Sequence, residues 1–215
     1  MLGGGKCAVM SRVYFFLPLL LGAGLILASC SSKLEENDKL PDGRLVASHA
    51  NFLKRADYRN TADIWYSDAR IERATKKNAK LVINLGFQRG HLLVDGKEAM
   101  DFPVCTGKDT HETPRGKFSI IEKKREYRSH SYGSVYDGDG NMVVADATPG
   151  TKVPKGGKYI GASMPLWMRL RGGYGMHIGR VYREAASHGC IRIPPEACTI
   201  VFDKCPVGTS VKIEE

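Results

Sequence analysis

The stretch Gly175-Met176-His177-Ile178-Gly179, followed by Ser187-His188-Gly189-Cys190-Ile191-Arg192, contains a thiol, two imidazoles, a hydroxyl and a guanidinium among three glycines. A cysteine nucleophile needs a base within hydrogen-bond reach and nearby donors for the oxyanion that it creates. Glycines let the backbone approach a substrate with no side chain in the way. The stretch therefore has the components of a cysteine acyl-transfer site, with Cys190 as the candidate nucleophile and two histidines as candidate bases.

This arrangement resembles the YkuD-type L,D-transpeptidases, bacterial enzymes that cross-link peptidoglycan through a cysteine acyl-enzyme. Their signature is a histidine in a glycine-containing turn and then Ser-His-Gly-Cys-hydrophobic-Arg, which residues 187–192 match. The separation of Cys190 from His177, 190 − 177 = 13, is that of the family's shorter variant. The likeness extends to 102–118, similar to a substrate-facing hairpin, and to 164–168, and in all it covers about 81–213.

The resemblance implies roles for the residues of the motif. Cys190 attacks a stem peptide, His177 takes the thiol proton, and the backbone N–H groups of His188, Gly189 and Cys190 are candidate oxyanion donors. Ser187 and His188 are expected to hold the loop rather than to react. Arg192 is expected to bind a substrate carboxylate or to brace the loop.

Two departures from the family pattern have consequences. Ile178 and Gly179 stand where many members have a serine or threonine beside the histidine, so a backbone carbonyl is expected to orient His177. Cys105 replaces what is often a serine or threonine, and we interpret it as a small, half-buried strand residue.

Alternating apolar residues between turn signals predict a mainly β protein. Asp95-Gly96 is a strong hairpin signal, 137–141 is another turn, and Pro194-Pro195-Glu196 suits the start of a helix. Strands are predicted at 81–85, 91–94, 102–106, 116–122, 142–144, 174–178, 191–193 and 211–213. The pattern, like the family resemblance, predicts a β-sandwich with a short helix or two.

The stretch 123–163 lacks clear periodicity, and long loops of this kind in compact domains are usually functional or mobile. In the family resemblance this region folds over the substrate groove as a lid. Tyr132 and Trp167 are the candidates for groove walls.

The N-terminus is typical of a targeting segment. Lys6 and Arg12 precede an uncharged apolar run, and Leu27-Ala28-Ser29-Cys30 resembles a bacterial lipobox, so Cys30 is the expected lipidation site. An ordinary cleaved signal or an uncleaved anchor is the alternative. We expect a signal peptide at 1–29, a tether at 30–39, a helical extension at 40–80 and the catalytic domain at 81–215. The enzyme would be exported and lipid-anchored on a membrane facing the cell wall, on the periplasmic side.

The chain carries 32 basic and 23 acidic residues, a formal charge of +9. Removing residues 1–29 takes away Lys6 and Arg12 and no acid, which leaves 30 − 23 = +7. A basic protein is drawn to anionic surfaces, here phospholipid headgroups and the carboxylate-bearing wall. Nucleic acid is not an expected partner, because of the export signal and because no long basic run occurs.

Four cysteines follow Cys30, and a nucleophile must stay free. Cys198 and Cys205 are the candidate disulfide pair. However, a seven-residue helical step spans roughly 10 Å, and a disulfide requires Cα atoms within about 7 Å of each other. The helix would have to end early. The spacing of Cys190, Cys198 and Cys205 matches no compact zinc pair. We therefore predict no metal and no cofactor.

Three functions remain open at this point. The first is a transpeptidase that uses a tetrapeptide stem as donor, with peptidoglycan stem peptides as partners. The second is a hydrolase with the same Cys–His pair, either an L,D-carboxypeptidase or an enzyme that cleaves a wall linkage. The third is a non-catalytic wall-binding lipoprotein, which the intact Cys190, His177 and Arg192 disfavour.

Overall fold

A computed structural model describes residues Asp38–Lys39 and 48–215 of the chain. The signal peptide, Cys30 and most of the tether lie outside the described residues. Within them no helix is both long and apolar enough to cross a membrane. The strands are β1 (Asp38–Lys39), β2 (Trp65–Ser67), β3 (Ala79–Asn84), β4 (Arg89–Val94), β5 (Lys97–Pro103), β6 (Gly116–Ser119), β7 (Glu122–Lys124), β8 (Arg128–Tyr136), β9 (Met142–Ala147), β10 (Lys158–Ser163), β11 (Trp167–Arg171), β12 (Tyr174–Ile178), β13 (Ile191–Ile193) and β14 (Ser210–Glu214). The helices are α1 (His49–Leu53), α2 (Asp68–Ile71) and α3 (Pro195–Lys204), and Asp109–His111 forms a 3₁₀ turn.

The largest sheet has the strand order β1-β2-β5-β4-β3-β14-β6. Its pairs are antiparallel except β14 and β3, which run parallel. The β4–β5 hairpin turns at Asp95 and Gly96, whose φ angles of 52° and 73° are both left-handed. Such angles are what a two-residue hairpin of this sequence type requires, so the turn prediction is confirmed.

A four-stranded sheet of order β13-β12-β11-β7 carries the motif residues. Strands β12 and β13 lie where the sequence predicted them and pair in parallel. The core combines apolar side chains from the large sheet, from this sheet and from α3, among them Leu81, Ile83, Met168, Met176, Ile191, Val201 and Ile213. The two sheets thus bury their inner faces against one another, and the mainly β fold class is confirmed.

The predicted strand at 116–122 is in fact two strands of different sheets. β6 belongs to the large sheet and β7 to the four-stranded one, and the chain changes sheets at Ile120 and Ile121. Ile120 is fully buried, whereas Ile121 is half exposed. Alternation alone did not reveal this corner, because each half keeps the period of a strand.

The cysteine predictions have mixed outcomes. Cys105, Cys190, Cys198 and Cys205 are all free. Helix α3 starts with Pro195 in its first turn, as predicted, and continues to Lys204, which keeps Cys198 and Cys205 apart along its axis. Burial raises the pKa of both thiols to about 12, so they are inert core residues. Cys105 is fully buried, not half-buried.

The region 48–80 is only partly the helical extension that its periodicity predicted. It holds two helices of five and four residues, and between them Trp65–Ser67 pairs with β5 and extends the large sheet. Helices this short are not stable by themselves. Trp65 is fully buried and packs with Phe52, so burial and strand pairing outweighed the helical pattern.

The lack of periodicity in 123–163 predicted a long loop, and that prediction is wrong. It forms a three-stranded antiparallel sheet of order β10-β8-β9. The β8–β9 turn is stabilised by Asp137 Oδ1, which accepts hydrogen bonds from the N–H groups of Asp139 and Asn141. Strand residues here are largely half-buried or exposed on both faces, which is why the sequence shows no clean alternation.

Candidate active site

The motif loop is held by the side chain of Ser187. Its hydroxyl donates to the carbonyl oxygen of Cys190 at 2.5 Å and accepts from the N–H of Gly189 at 3.0 Å. Ser187 is almost fully buried. Gly189 has a φ of 104°, and a Cβ there would lie 2.6 Å from the Tyr174 ring. Only glycine fits this position, and the loop presents Cys190 immediately before β13.

Strand pairing places the histidine beside the arginine. β12 and β13 are parallel neighbours, and His177 is directly opposite Arg192 in their register. Gly179 comes directly after β12, and a Cβ on it would lie 2.7 Å from the Arg192 side chain. The glycine after the histidine therefore makes room for the arginine that follows the cysteine.

His177 is held as a neutral base. Its Nδ1 lies 2.8 Å from the carbonyl oxygen of Ile178, which can only accept, so Nδ1 carries the proton and Nε2 has the free lone pair. The expected orientation by a backbone carbonyl is thus present. Burial, opposed by this hydrogen bond and assisted by the charge of Arg192, lowers the pKa of His177 to about 4. The imidazole is therefore uncharged near neutral pH.

Cys190 is a half-buried thiol. Its Sγ lies 3.5 Å from the carbonyl oxygen of Gly173, to which the thiol donates. Burial raises the pKa of Cys190, and a backbone hydrogen bond from Gly175 and the charges of Arg192 and Arg169 offset that rise only in part. The resting pair is accordingly a neutral thiol and a neutral imidazole, rather than an ion pair.

Both groups line one cavity of about 400 Å³. That volume lies within the range typical of small-ligand sites. The cavity brings together most residues that the sequence selected, namely His177, Cys190, Ser187, His188, Arg192 and Tyr132. Residues separated by up to 60 positions in the chain thus share one concave surface.

The three-stranded sheet 128–163 contacts the motif loop through aromatic and charged side chains. The Tyr132 ring stacks on the His188 ring with centroids 4.3 Å apart. Nε2 of His188 lies 3.4 Å from Oδ2 of Asp146 on β9. The ring of His111 completes the group, 4.9 Å from His188. These contacts fit the predicted position of Tyr132 at the groove.

Trp167 does not line the cavity, contrary to its assignment as a groove wall. It is fully buried. Its ring stacks on Tyr127 at 4.9 Å and lies 6.2 Å from the ring of His177. A Cβ at Gly175 would meet the indole at 2.5 Å. The indole thus supports β12 from beneath, and the sequence could not show which face of the strand it occupies.

The set of oxyanion donors is smaller than predicted. The Gly189 N–H is already bonded to Ser187, because the tight loop turns it inward. Within the described part of the chain, the backbone N–H groups of His188 and Cys190 donate no hydrogen bond. These two groups remain the candidate donors.

Several residues of the cavity were not predicted from the sequence. His111, Tyr174 and Arg180 also line the cavity. His111 comes from the 3₁₀ turn, 77 positions before His188, and no local pattern links the two. Among the described residues, the group of three side chains suited to a metal is His49, His91 and Glu98, and none of them lines this cavity.

Comparison with known families and proteins agrees with the motif. Residues 78–213 match the YkuD family, described as the L,D-transpeptidase catalytic domain. The chain is similar to a probable L,D-transpeptidase ErfK/SrfK of Salmonella typhimurium, with 27% identity over 146 residues, and to its counterpart from Escherichia coli, with 26% identity over 148 residues. Each match covers 62% of this chain and 43% of the relative, so the chain spans less than half the length of these curated relatives.

Similar solved structures include an L,D-transpeptidase from Mycobacterium smegmatis, with 21% identity and a TM-score of 0.48. That match covers 64% of this chain and 59% of the other. L,D-transpeptidase 3 from Mycobacterium tuberculosis has 18% identity and a TM-score of 0.49, covering 64% and 60% of the two chains.

Proposed function

The chain belongs to the YkuD family of L,D-transpeptidases, and on this premise we propose that it cross-links peptidoglycan stem peptides through an acyl-enzyme on Cys190. The observation that carries the proposal is the shared cavity of Cys190 and His177, in which the lone pair of His177 Nε2 is free and the imidazole is neutral. A general base of this kind accepts a proton without first losing one.

The first half-reaction transfers the acyl group to the enzyme. The Cys190 sulfur attacks the carbonyl carbon of the amide before the terminal D-alanine of a tetrapeptide stem, and the thiol proton passes to His177 Nε2. Because the resting thiol is neutral, proton transfer accompanies attack. The tetrahedral oxyanion accepts hydrogen bonds from the N–H groups of Cys190 and His188, each worth about 3 kcal/mol of barrier in comparable sites. His177 then protonates the leaving amine, and D-alanine departs.

The second half-reaction regenerates the thiol. The amine of a diamino-acid residue on a neighbouring stem attacks the thioester carbonyl, and His177 removes a proton from that amine. Collapse of the intermediate forms the new amide and expels the sulfur, which recovers a proton from His177. Arg192 binds a substrate carboxylate at the cavity wall, where its fork of donors suits a planar anion.

The test uses purified muropeptides and the full chain, with products identified by mass. We expect cross-linked dimers and released D-alanine from the wild type and neither from Cys190→Ala. Cys198→Ala removes a thiol from α3 instead, outside the cavity, and is expected to retain turnover. Trimmed tripeptides without dimers would identify a carboxypeptidase, and dimers from a folded Cys190→Ala protein would refute the nucleophile.

We further propose that the enzyme is exported and held on a membrane by lipid on Cys30. The support is the uncharged apolar run that ends at Leu27-Ala28-Ser29-Cys30, with a polar stretch behind it. The predicted positive charge of the mature chain would favour anionic headgroups and wall carboxylates. Lipid chains of a lipoprotein then keep the catalytic domain at the membrane surface.

A further inference from the structure

Two histidine–carboxylate hydrogen bonds lie side by side on the large sheet, outside the catalytic cavity. His49 Nε2, at the start of α1, is 2.8 Å from Asp101 Oδ2 on β5. His91 Nδ1, on β4, is 3.0 Å from Glu98 Oε1 on β5. The mechanism above uses none of these four residues.

Their donor atoms are clustered closely enough that small side-chain movements would form a metal site. One ligand atom from each of His49, His91 and Glu98 lies within 4.8 Å of the others. In a tetrahedral zinc site, metal–ligand bonds of about 2.0–2.1 Å separate neighbouring ligand atoms by roughly 3.3 Å. The two hydrogen-bonded N···O pairs need to widen by about half an ångström or less, and the wider spacings, up to 4.8 Å, need to shorten by up to about 1.5 Å, for a cation to replace the shared protons.

Strand register adds a fourth donor. His91 is directly opposite Asp101 in the β4–β5 pairing, and its Nδ1 lies 3.9 Å from Asp101 Oδ2. The other oxygen of Asp101 is 2.7 Å from the Arg89 guanidinium, so Oδ2 is the oxygen that faces the histidines. Tyr58 donates to the same Oδ2 at 2.9 Å and buttresses it.

Accessibility and charge also suit a cation. The side chains of His49, His91 and Glu98 are each 17–18% exposed, so an ion can reach them while packing restricts their motion. Glu98 and Asp101 supply two negative charges, of which Arg89 balances one. Imidazole nitrogens with carboxylate oxygens are a ligand set suited to zinc and to neighbouring divalent transition metals.

We propose that His49, His91 and Glu98, with Asp101 Oδ2 as the fourth ligand, bind a divalent transition-metal ion of the Zn²⁺ class. The ion joins α1 to strands β4 and β5, whose ligands lie between 91 − 49 = 42 and 101 − 49 = 52 positions after His49. It thereby fixes the segment before the catalytic domain to the sheet, where Phe52 and Trp65 already form a small apolar contact.

The experiment measures zinc binding to the full chain in detergent after chelator treatment. Equilibrium dialysis with metal analysis is done on Cys190→Ala, because an accessible cysteine thiolate can itself bind zinc. We expect one ion per chain. Adding His91→Ala or Glu98→Gln should weaken binding by at least about tenfold, whereas adding His130→Ala, an exposed histidine on β8, should leave it unchanged.

A second readout tests the joining of α1 to the sheet. Zinc should slow amide hydrogen exchange in α1 of Cys190→Ala and should not do so after His91→Ala is added. Metal-free circular dichroism checks that each variant is folded. If Cys190→Ala binds no zinc, or if His91→Ala and Glu98→Gln bind it as tightly as their parent, the proposal is wrong. Neither result depends on transpeptidase activity.

Discussion

The burial of His177 predicts a specific loss of stability in acid. Its pKa falls from 6.5 to about 4 on folding, chiefly because burial disfavours the charged ring. The unfolded chain therefore binds a proton between these values that the folded protein does not. Stability from this residue is fully present above pH 6.5 and is lost as the pH falls toward 4.

The size of the effect follows from the two pKa values. Relative to neutral pH, the free energy of unfolding should fall by about 2 kcal/mol at about pH 5 and by about 3 kcal/mol at about pH 4. The comparison is His177→Gln, whose amide can also donate to the Ile178 carbonyl but does not titrate. Other groups titrate over the same range in both proteins, so their contributions cancel in the difference.

The measurement is urea unfolding of both proteins at a series of pH values, followed by tryptophan fluorescence. The wild type should lose the stated amounts in excess of His177→Gln. Parallel losses in the two proteins would show that His177 is not held neutral by burial. The uncharged base on which the proposed mechanism depends would then lack its physical cause.

Three further predictions concern the motif loop, the three-stranded sheet and the proposed lipid anchor. Ser187→Ala removes a buried hydroxyl that makes two hydrogen bonds within its loop, and should lower the free energy of unfolding by about 2–3 kcal/mol. The control Ser210→Ala, at an exposed position on β14, should change it by less than about 0.5 kcal/mol. Equal losses in urea unfolding would show that the Ser187 hydroxyl does not stabilise the loop. Tyr132→Ala removes the ring stacked on His188 and should reduce kcat/KM for muropeptides by up to about tenfold. Tyr132→Phe keeps the ring and should retain the wild-type kcat/KM. An equal loss in both variants would assign the effect to the hydroxyl instead of the ring. Cys30→Ala should abolish lipid attachment and leave an unprocessed precursor, measured by the mass of the N-terminal peptide; a wild-type N-terminus at any other residue would indicate an ordinary signal peptide.

Arg192 also acts on the electrostatics of the cavity. Its charge lowers the pKa values of both Cys190 and His177. For the thiol this favours the reactive anion, and for the imidazole it favours the neutral base. One guanidinium thus eases proton loss from the thiol during attack and keeps the imidazole free to accept that proton.

Local chemistry is what the sequence by itself determined. The run 187–192 with His177 upstream identified the family and the residues of the candidate site, because a tight loop and two short strands fix those residues through near neighbours. The Asp95-Gly96 hairpin, the turn at 137–141 and the start of α3 were likewise predictable, since each depends on the backbone preferences of the residues present.

Only the tertiary structure decided features that depend on distant partners. It placed Trp65–Ser67 between two strands of the large sheet, formed a small sheet from 128–163, and buried Trp167 beneath β12. It also turned the Gly189 N–H toward Ser187, and it brought His49 to the strands that carry His91 and Glu98. Burial and strand pairing are summed over the whole fold, so the free energies that settle these positions are absent from any local stretch of sequence.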